Sequence, residues 1–389
     1  MKKLSASSSI TAARGFRAIG LSAGIKKSGK KDLALIVSDF PATVAATFTT
    51  NQVKAAPVKL DMEHVKSGRA RAIVANSGNA NACTGRDGMI HARAMATAVA
   101  RRIGCPVEHV LVCSTGRIGV NMPIVKIQAG IKKALKSISR DGGHAAAQAI
   151  MTTDTFPKAC AVRVGKVRIG GIAKGAGMIQ PKMATMLSFI STDAAIPRAA
   201  LQRALKAAVD LSFNRITVDG DTSTNDTVIL MANGVAGRVP LPAFQEGLNF
   251  VCLELAKMIV RDGEGVSKFV TVNIHGAASD RDAEIAARAV CNSVLVKTSW
   301  CGGDPNWGRI LDALGYSHAK VREELVDIGY DGEKAISKGE PASTPLAKLK
   351  KIVAHPTFTI DIHLHLGRGH CAMHTCDLTE RYVELNKGE

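Results

Sequence analysis

Aromatic residues are scarce: two Trp, three Tyr and ten Phe in 389 residues. Stacking platforms for unpaired bases need such rings at successive positions, so the composition speaks against a single-strand nucleic-acid binder. Acids are also few, 33 Asp and Glu against 51 Lys and Arg, giving a net charge of +18. The first acid is Asp32, after Lys2, Lys3, Arg14, Arg17, Lys26, Lys27, Lys30 and Lys31. That run reads as a nucleic-acid arm, as a mitochondrial presequence, or as a solvated basic surface that attracts anionic metabolites. No apolar run reaches the length of a membrane span. The nine cysteines are an odd number without a CxxC pair. This excludes a disulfide framework and points to free thiols in a reducing cytoplasm. HExxH and GxSxG are both absent.

What is present suits a soluble α/β protein. The chain is long enough for two domains or one large core, with 46% hydrophobic residues and 36 glycines. Strands are predicted at Asp32–Val37, Ala42–Thr50, Arg71–Ala75, Val110–Cys113, Val167–Ala173, Met186–Thr192, Lys268–Ile274 and Thr357–Leu366. Four-residue apolar steps predict helices over Met89–Ile103, Ile124–Ile138, Gly143–Ile150, Pro197–Phe213 and Phe244–Val260. Ser279 with Asp282 predicts a capped start for a helix over Ala283–Ser293. Ser337–Pro345 reads as a linker.

Several stretches carry possible chemistry. Lys174–Phe189, KGAGMIQPKMATMLSF, holds Thr185 at the head of a predicted strand. If the Ala184–Thr185 bond were cut, Thr185 would own a hydroxyl nucleophile and an α-amine to serve as its base. Ser114-Thr115-Gly116 follows a short strand, a pattern that aims a backbone N–H and a hydroxyl at one point, as an oxyanion hole does. Asn76–Gly85 reads as an amide-rich loop. Met151–Thr155 is a hydroxyl cluster at a helix end, with Thr152 in its middle. Glu264 sits between Gly263 and Gly265, a turn acid able to meet an ammonium group.

Other patterns fail on spacing. Asp219, Asp221 and Ser223 lack the glycine and the final glutamate of a calcium loop. Gly24–Lys31 falls one residue short of a phosphate loop. His363, His365, His370, Cys371, His374 and Cys376 fit no standard zinc spacing, and no metal is expected.

Taken together, GFRAIGLSAGIKKSGKKDLALIVSD, TTNQVKAAPV, NSGNANACTG, CSTGRIGV, MTTDTFPK, GGIAKGAGMIQPKMATML, FNRITVDGDTSTNDT, GGDPNWGRI and CDLTERYV resemble one family. It is the bifunctional ornithine acetyltransferase / glutamate N-acetyltransferase family of arginine biosynthesis. The likeness runs from Gly15 almost to the end of the chain, which leaves little room for a presequence. It implies an α/β fold of layered sheets and helices, of the N-terminal-nucleophile kind. It also implies a precursor cut at Ala184–Thr185 into an α chain, residues 1–184, and a β chain, residues 185–389, assembled as α2β2 or higher.

By the same resemblance Thr185 carries acetyl from N-acetylornithine to glutamate, and in some members acetyl-CoA is a co-substrate; no other cofactor is implied. Thr115 and Gly116 match the oxyanion pair. Thr152, Lys174, Thr185, Glu264 and Asn386 match the substrate-contacting positions. Two departures stand out. The family's closing Asn-Ala-Asp-Tyr-x-Thr is here Asn386-Lys387-Gly388-Glu389, so one hydroxyl contact is either missing or supplied from elsewhere. His370–His374 replaces the small and aromatic residues usual before CDLT. The resemblance implies neither nucleic-acid nor membrane partners. Rival readings are a self-processed amidase or aminopeptidase with water as acceptor, and a basic nucleic-acid-binding protein.

Overall fold

The computed structural model describes residues 1–5, 8–180 and 186–387. The chain forms two compact units, Met1–Asn214 with Asp221–Ile259, and Arg215–Gly220 with Val260–Glu389. The layered α/β architecture expected from the sequence is what the chain adopts.

The first unit contains β1 (Lys2–Lys3), β2 (Phe16–Leu21), β3 (Leu33–Phe48), β4 (Arg69–Asn79), β5 (Val110–Arg117), β6 (Lys158–Val164), β7 (Val167–Lys174), β8 (Leu187–Ala194) and β9 (Thr227–Gly237). Among the described residues they make one nine-stranded sheet in the order β1-β6-β7-β8-β9-β3-β4-β5, with β2 paired to β3. Its helices are α1 (Ala56–His64), α2 (Gly85–Ile103), α3 (Ile124–Ser137), α4 (Gly143–Ala149) and α5 (Arg198–Asp210), and α6 (Leu241–Arg261) begins here.

Strand alternation sorts the core. Leu33, Leu35, Val37, Ala72, Val74, Val110 and Val112 pack with α1, α2 and α3. Their neighbours Ala34, Ile36, Ile73, Ala75, Leu111 and Cys113 pack with α4 in a separate cluster. A sheet covered on both faces has apolar side chains at consecutive positions, and these runs read that way in the sequence. Helix side chains also close open strand edges. Asp61 of α1 accepts the Val112 N–H at 2.8 Å, and His64 Nδ1 lies 2.8 Å from the Val110 carbonyl. Burial pushes the Asp61 carboxyl well above the usual carboxylate range, against the Val112 N–H and the Cys113 thiol. On α5, Gln202 brackets both backbone groups of Ala46.

The structure corrects three expectations here. Asp32–Val37 and Ala42–Thr50 are one strand, β3, because Pro41 falls in an irregularity between Val37 and Ala42 where its missing N–H breaks no ladder. Asn76–Asn79 is not loop but the end of β4, paired in parallel with β5. Lys2 and Lys3 are not part of a free arm, since they pair with Arg163 and Val162 of β6.

In the second unit β10 (Phe269–Ala277), β11 (Asp327–Tyr330), β12 (Glu333–Ser337), β13 (Glu340–Pro341), β14 (Thr357–His363) and β15 (Gly369–Cys376) form a six-stranded sheet, ordered β13-β12-β11-β14-β10-β15. The helices are α7 (Asp280–Asn292), α8 (Val294–Cys301), α9 (Trp307–Gly315), α10 (Leu346–Ala354) and α11 (Glu380–Asn386). Trp300 meets Phe358 edge to face, with ring centroids 6.1 Å apart, at the centre of this core. The α7 start is as expected: the Ser279 hydroxyl accepts the Asp282 N–H at 3.1 Å. Ser337–Pro345, expected as a linker, instead begins with a hairpin. Lys338 and Gly339 both have positive φ, the turn that reverses β12 into β13.

Candidate active site

The site is built at the C-terminal end of β5. There Ser77 and Gly78 of β4 lie beside Thr115 and Gly116. Gly116 has φ +126°, and a Cβ on it would come within 2.5 Å of the Gly78 carbonyl carbon. Only glycine lets the two strand ends approach this closely. Gly78 in turn lies under the Lys26 side chain, 3.1 Å from where its own Cβ would be.

The amides around this pair are all hydrogen-bonded. Asn76 accepts the Ser114 hydroxyl at 2.6 Å and donates to the Asn79 carbonyl at 2.8 Å. Asn79 donates to the carbonyls of Val120 and Asn121 and accepts the Asn81 N–H. Asn225 is buried, and its side-chain N–H group donates to the Ala80 carbonyl at 2.6 Å and the Ser114 carbonyl at 2.9 Å. Its own oxygen accepts the Thr224 hydroxyl. Asn225 therefore fixes the residue before Thr115 and the residue after Asn79. Sequence reasoning gave it no role. The signal was present in an amide that follows a polar run and precedes a strand.

A second cluster centres on Asp154. Its carboxylate accepts the Thr152 N–H at 2.8 Å, the Gly175 N–H at 2.7 Å and the Lys158 ammonium at 2.7 Å. Lys158 and Asp154 have no exposed side-chain surface. Burial alone would raise this carboxyl. The charges of Lys174 and Lys158, with the Gly175 N–H, outweigh it and hold Asp154 far below the usual carboxylate range. Asp154 thus ties Thr152 to the turn that follows Lys174, and Lys174 is itself buried at the end of β7. The sequence singled out Thr152 and Lys174 but not the carboxylate between them.

Lys26 links the two clusters. Its ammonium donates to the Met151 carbonyl at 2.7 Å and the Lys31 carbonyl at 3.0 Å. Burial lowers its pKa and the Lys30 and Lys174 charges add to that, while Asp32 and Asp154 oppose. The fully buried Asp32 shapes the loop that carries it, accepting the N–H groups of Ala23, Ile25 and Lys26. Four of the expected site residues, Thr115, Gly116, Thr152 and Lys174, are thereby connected within the first unit.

Ala184 and Thr185, the expected cleavage pair and nucleophile, lie outside the described residues. Their flanks are described. Lys174 pairs with Leu187 across β7 and β8, and Gln180 is held by the Asp221 carbonyl at 2.8 Å.

In the second unit Glu264 and Asn386 come together, with the Asn386 amide donating to the Glu264 carboxylate at 2.9 Å. Gly265 has φ +69°, and a Cβ there would lie 2.5 Å from the Tyr382 nitrogen, so the Glu264 turn sits directly on α11. The Thr379 hydroxyl donates to the Gly265 carbonyl at 2.6 Å. Among the described residues no group of three His, Cys, Asp or Glu is placed to hold a metal ion. No described helix is long and apolar enough to cross a membrane.

The ArgJ family pattern matches residues 17–388. The arginine biosynthesis bifunctional protein ArgJ of Geobacter sulfurreducens is 51% identical over 386 residues, covering 96% of this chain and 98% of that protein. The protein of the same name from Symbiobacterium thermophilum is 47% identical, covering 97% of each. A crystal structure of arginine biosynthesis bifunctional protein argJ from Bacillus halodurans is 42% identical, with a TM-score of 0.51, and covers 53% of this chain and 100% of that one. Likeness of this extent, along nearly the whole sequence, establishes that the chain belongs to the ArgJ family.

Proposed function

We propose that this protein is an acetyltransferase of arginine biosynthesis that cuts itself between Ala184 and Thr185 and then moves acetyl from N-acetylornithine to glutamate. The observation that carries the reading is the strand order. β8 and β9 follow the Ala184–Thr185 bond in sequence, yet they lie between β7 and β3, which precede it. Cutting there leaves two chains whose strands alternate in one sheet, so neither piece is released. The 53% of this chain covered by the whole Bacillus halodurans chain is also the share that runs from Thr185 to Glu389.

In the first reaction the Thr185 hydroxyl attacks the Ala184 carbonyl. The C–N bond breaks, the nitrogen takes the hydroxyl proton, and water opens the ester to leave a carboxylate on Ala184. In the second, the freed amine draws the proton from the same hydroxyl as it attacks the acetamide carbon of N-acetylornithine. Ornithine leaves with that proton, and the acetyl group stays on Thr185 until the glutamate amine displaces it. Thr115 and Gly116 stabilise the oxyanion in both reactions, and losing one such donor costs about a hundredfold or more in rate. Lys174, held beside Asp154, meets the substrate α-carboxylate, with Thr152 beside it. Glu264 and Asn386 meet the polar substrate ends.

Because the curated relatives are named bifunctional, acetyl-CoA is taken as a second acetyl donor for glutamate. We assign the enzyme to the cytoplasm, where its nine free cysteines stay reduced, and to an α2β2 or larger assembly. The test combines N-terminal sequencing with assay. Purified protein should give two bands, one beginning at Thr185, and Thr185→Ala should give one. With N-acetylornithine and glutamate the product should be N-acetylglutamate. Release of acetate without acetylglutamate would instead identify an amidase.

A further inference from the structure

The irregularity in β3 does more than accommodate Pro41. β3 and β4 pair at Val37 and Ala72, then resume at Ala42 and Ala70, so Arg71 faces four residues, Ser38–Pro41, instead of one. By alternation Arg71 belongs with Ile73, on the face packed against α4. The bulge re-aims it, as bulges do. Arg71 instead lines a recess of about 230 Å³ shared with Arg17, Val37, Arg102, Ile103, Leu135 and Ile138. Val37, Ile103, Leu135 and Ile138 belong to the opposite apolar cluster.

The recess is a built feature. Arg17 donates Nε–H to Asp39 at 2.8 Å and Arg71 donates Nε–H to the Ser38 carbonyl at 3.0 Å, so consecutive bulge residues hold both. Arg102 donates one terminal N–H to the Ala98 carbonyl at 2.8 Å. The wall at Ile138 is fixed by paired backbone bonds between Ser139 and Ala18. A guanidinium carries five N–H donors. Each of the three commits one to protein, and the others have no protein partner among the described residues. No carboxylate lines the recess among those residues; Asp39 alone is ion-paired to one of its arginines. Three like charges gathered over an apolar wall repel one another unless an anion sits between them.

We propose that this recess binds a small phosphate monoester, its phosphate among Arg17, Arg71 and Arg102 and its organic body on Ile103, Leu135 and Ile138. Guanidinium forks match phosphate oxygens two at a time, and the apolar wall rewards a ligand larger than the bare ion. The site is separate from the acetyl-transfer reading and does not depend on it.

Phenyl phosphate is the probe, titrated by calorimetry into the full-length protein at about 0.15 M salt, where exposed charges are screened beyond about 8 Å. One saturable site is expected, with phenyl phosphate tighter than inorganic phosphate and phenol silent. Affinity should fall at least tenfold in Arg71→Gln and in Arg102→Gln, and stay unchanged in Lys350→Gln, which removes one exposed charge elsewhere. Arg102 is exposed on α2, so its variant keeps the test intact if Arg71→Gln folds poorly. Absence of saturable binding, or an equal loss in Lys350→Gln, would overturn the proposal.

Discussion

Asn225 donates a side-chain N–H to the carbonyl oxygen of Ser114 at 2.9 Å, one residue before the expected oxyanion pair. The other N–H of that amide reaches the Ala80 carbonyl. Replacing Asn225 by Ala strands two buried carbonyls, each worth about 1–3 kcal/mol when left unpaired. We expect Asn225→Ala to lower unfolding free energy by a few kcal/mol in urea titration. Self-cutting and acetyl transfer should slow together, because the strand that carries Thr115 loses its bracket. Unchanged rates at reduced stability would make Asn225 purely structural.

Asp154 makes the sharper case. Asp154→Asn keeps the shape but removes the anion facing fully buried Lys158, and breaking a buried pair from one side costs about 3–5 kcal/mol. The pH dependence has a definite sign. The carboxyl is depressed in the folded state, so its stabilisation is complete above its ordinary value of 3.8 and is lost as pH falls below that toward the lower folded value. Acid unfolding of the wild type and of Asp154→Asn should therefore converge at low pH and diverge above about pH 4. Curves that stay parallel throughout would refute the assignment.

These two residues also mark how far the sequence was legible. Ile124–Ile138 was predicted as a helix and is found at Ile124–Ser137, since five apolar residues at helical spacing leave little freedom. Strands β7 and β8 were equally plain as segments, expected at Val167–Ala173 and Met186–Thr192 and found at Val167–Lys174 and Leu187–Ala194. Asp154 was not, because its partners Lys158 and Lys174 sit on two strands whose pairing no local pattern announces. Its spacing to Lys158 even mimics a helical ion pair, though Lys158 opens β6. Asn76–Asn79 misled for a related reason. Turn-forming amides were made strand-like by bonds to residues distant in sequence, which local propensity cannot report. The bulge opposite Arg71 is invisible for the same cause, since register belongs to two strands at once.

Gly116 gives a prediction at the strand end itself. Ala there must adopt φ +126° and push against the Gly78 carbonyl. Such backbone strain costs about 1–3 kcal/mol. Because Gly116 is exposed at the end of β5, the strand end should shift while the sheet survives. We expect Gly116→Ala to keep a near-native melting temperature while losing about a hundredfold in transfer rate. A variant with full activity would remove Gly116 from the oxyanion pair.

The second unit carries its own pH response. His363 stacks near His275 and His365, with centroids at 6.4 and 3.7 Å. Burial lowers its pKa, the charges of His365 and His275 lower it further, and Asp327 opposes them. As pH falls through the ordinary value of 6.5 the unfolded chain takes up the proton first, so stability drops there. His363→Gln should flatten the fall in melting temperature on acidification through that range. A fall as steep as the wild type's would place its origin elsewhere.

The strand order makes the strongest demand on the proposed cut at Ala184–Thr185. Residues 1–184 alone lack β8 and β9, so β7 and the distal half of β3 would present bare edges to solvent. Long unprotected edges template aggregation. Expressed by itself, that piece should be insoluble, and residues 185–389 should fare no better, since β8 and β9 would keep each other but lose β7 and β3 from their outer edges. Co-expressed, the two should recover a soluble complex, because β8 then finds β7 through the six residue pairs from Ile169–Thr192 to Lys174–Leu187. The complex should also be active, since it carries Thr185 at a ready-made N-terminus once its initiator methionine is removed. Pieces that fold and stay soluble apart would contradict the interleaved sheet, whatever their activity on mixing.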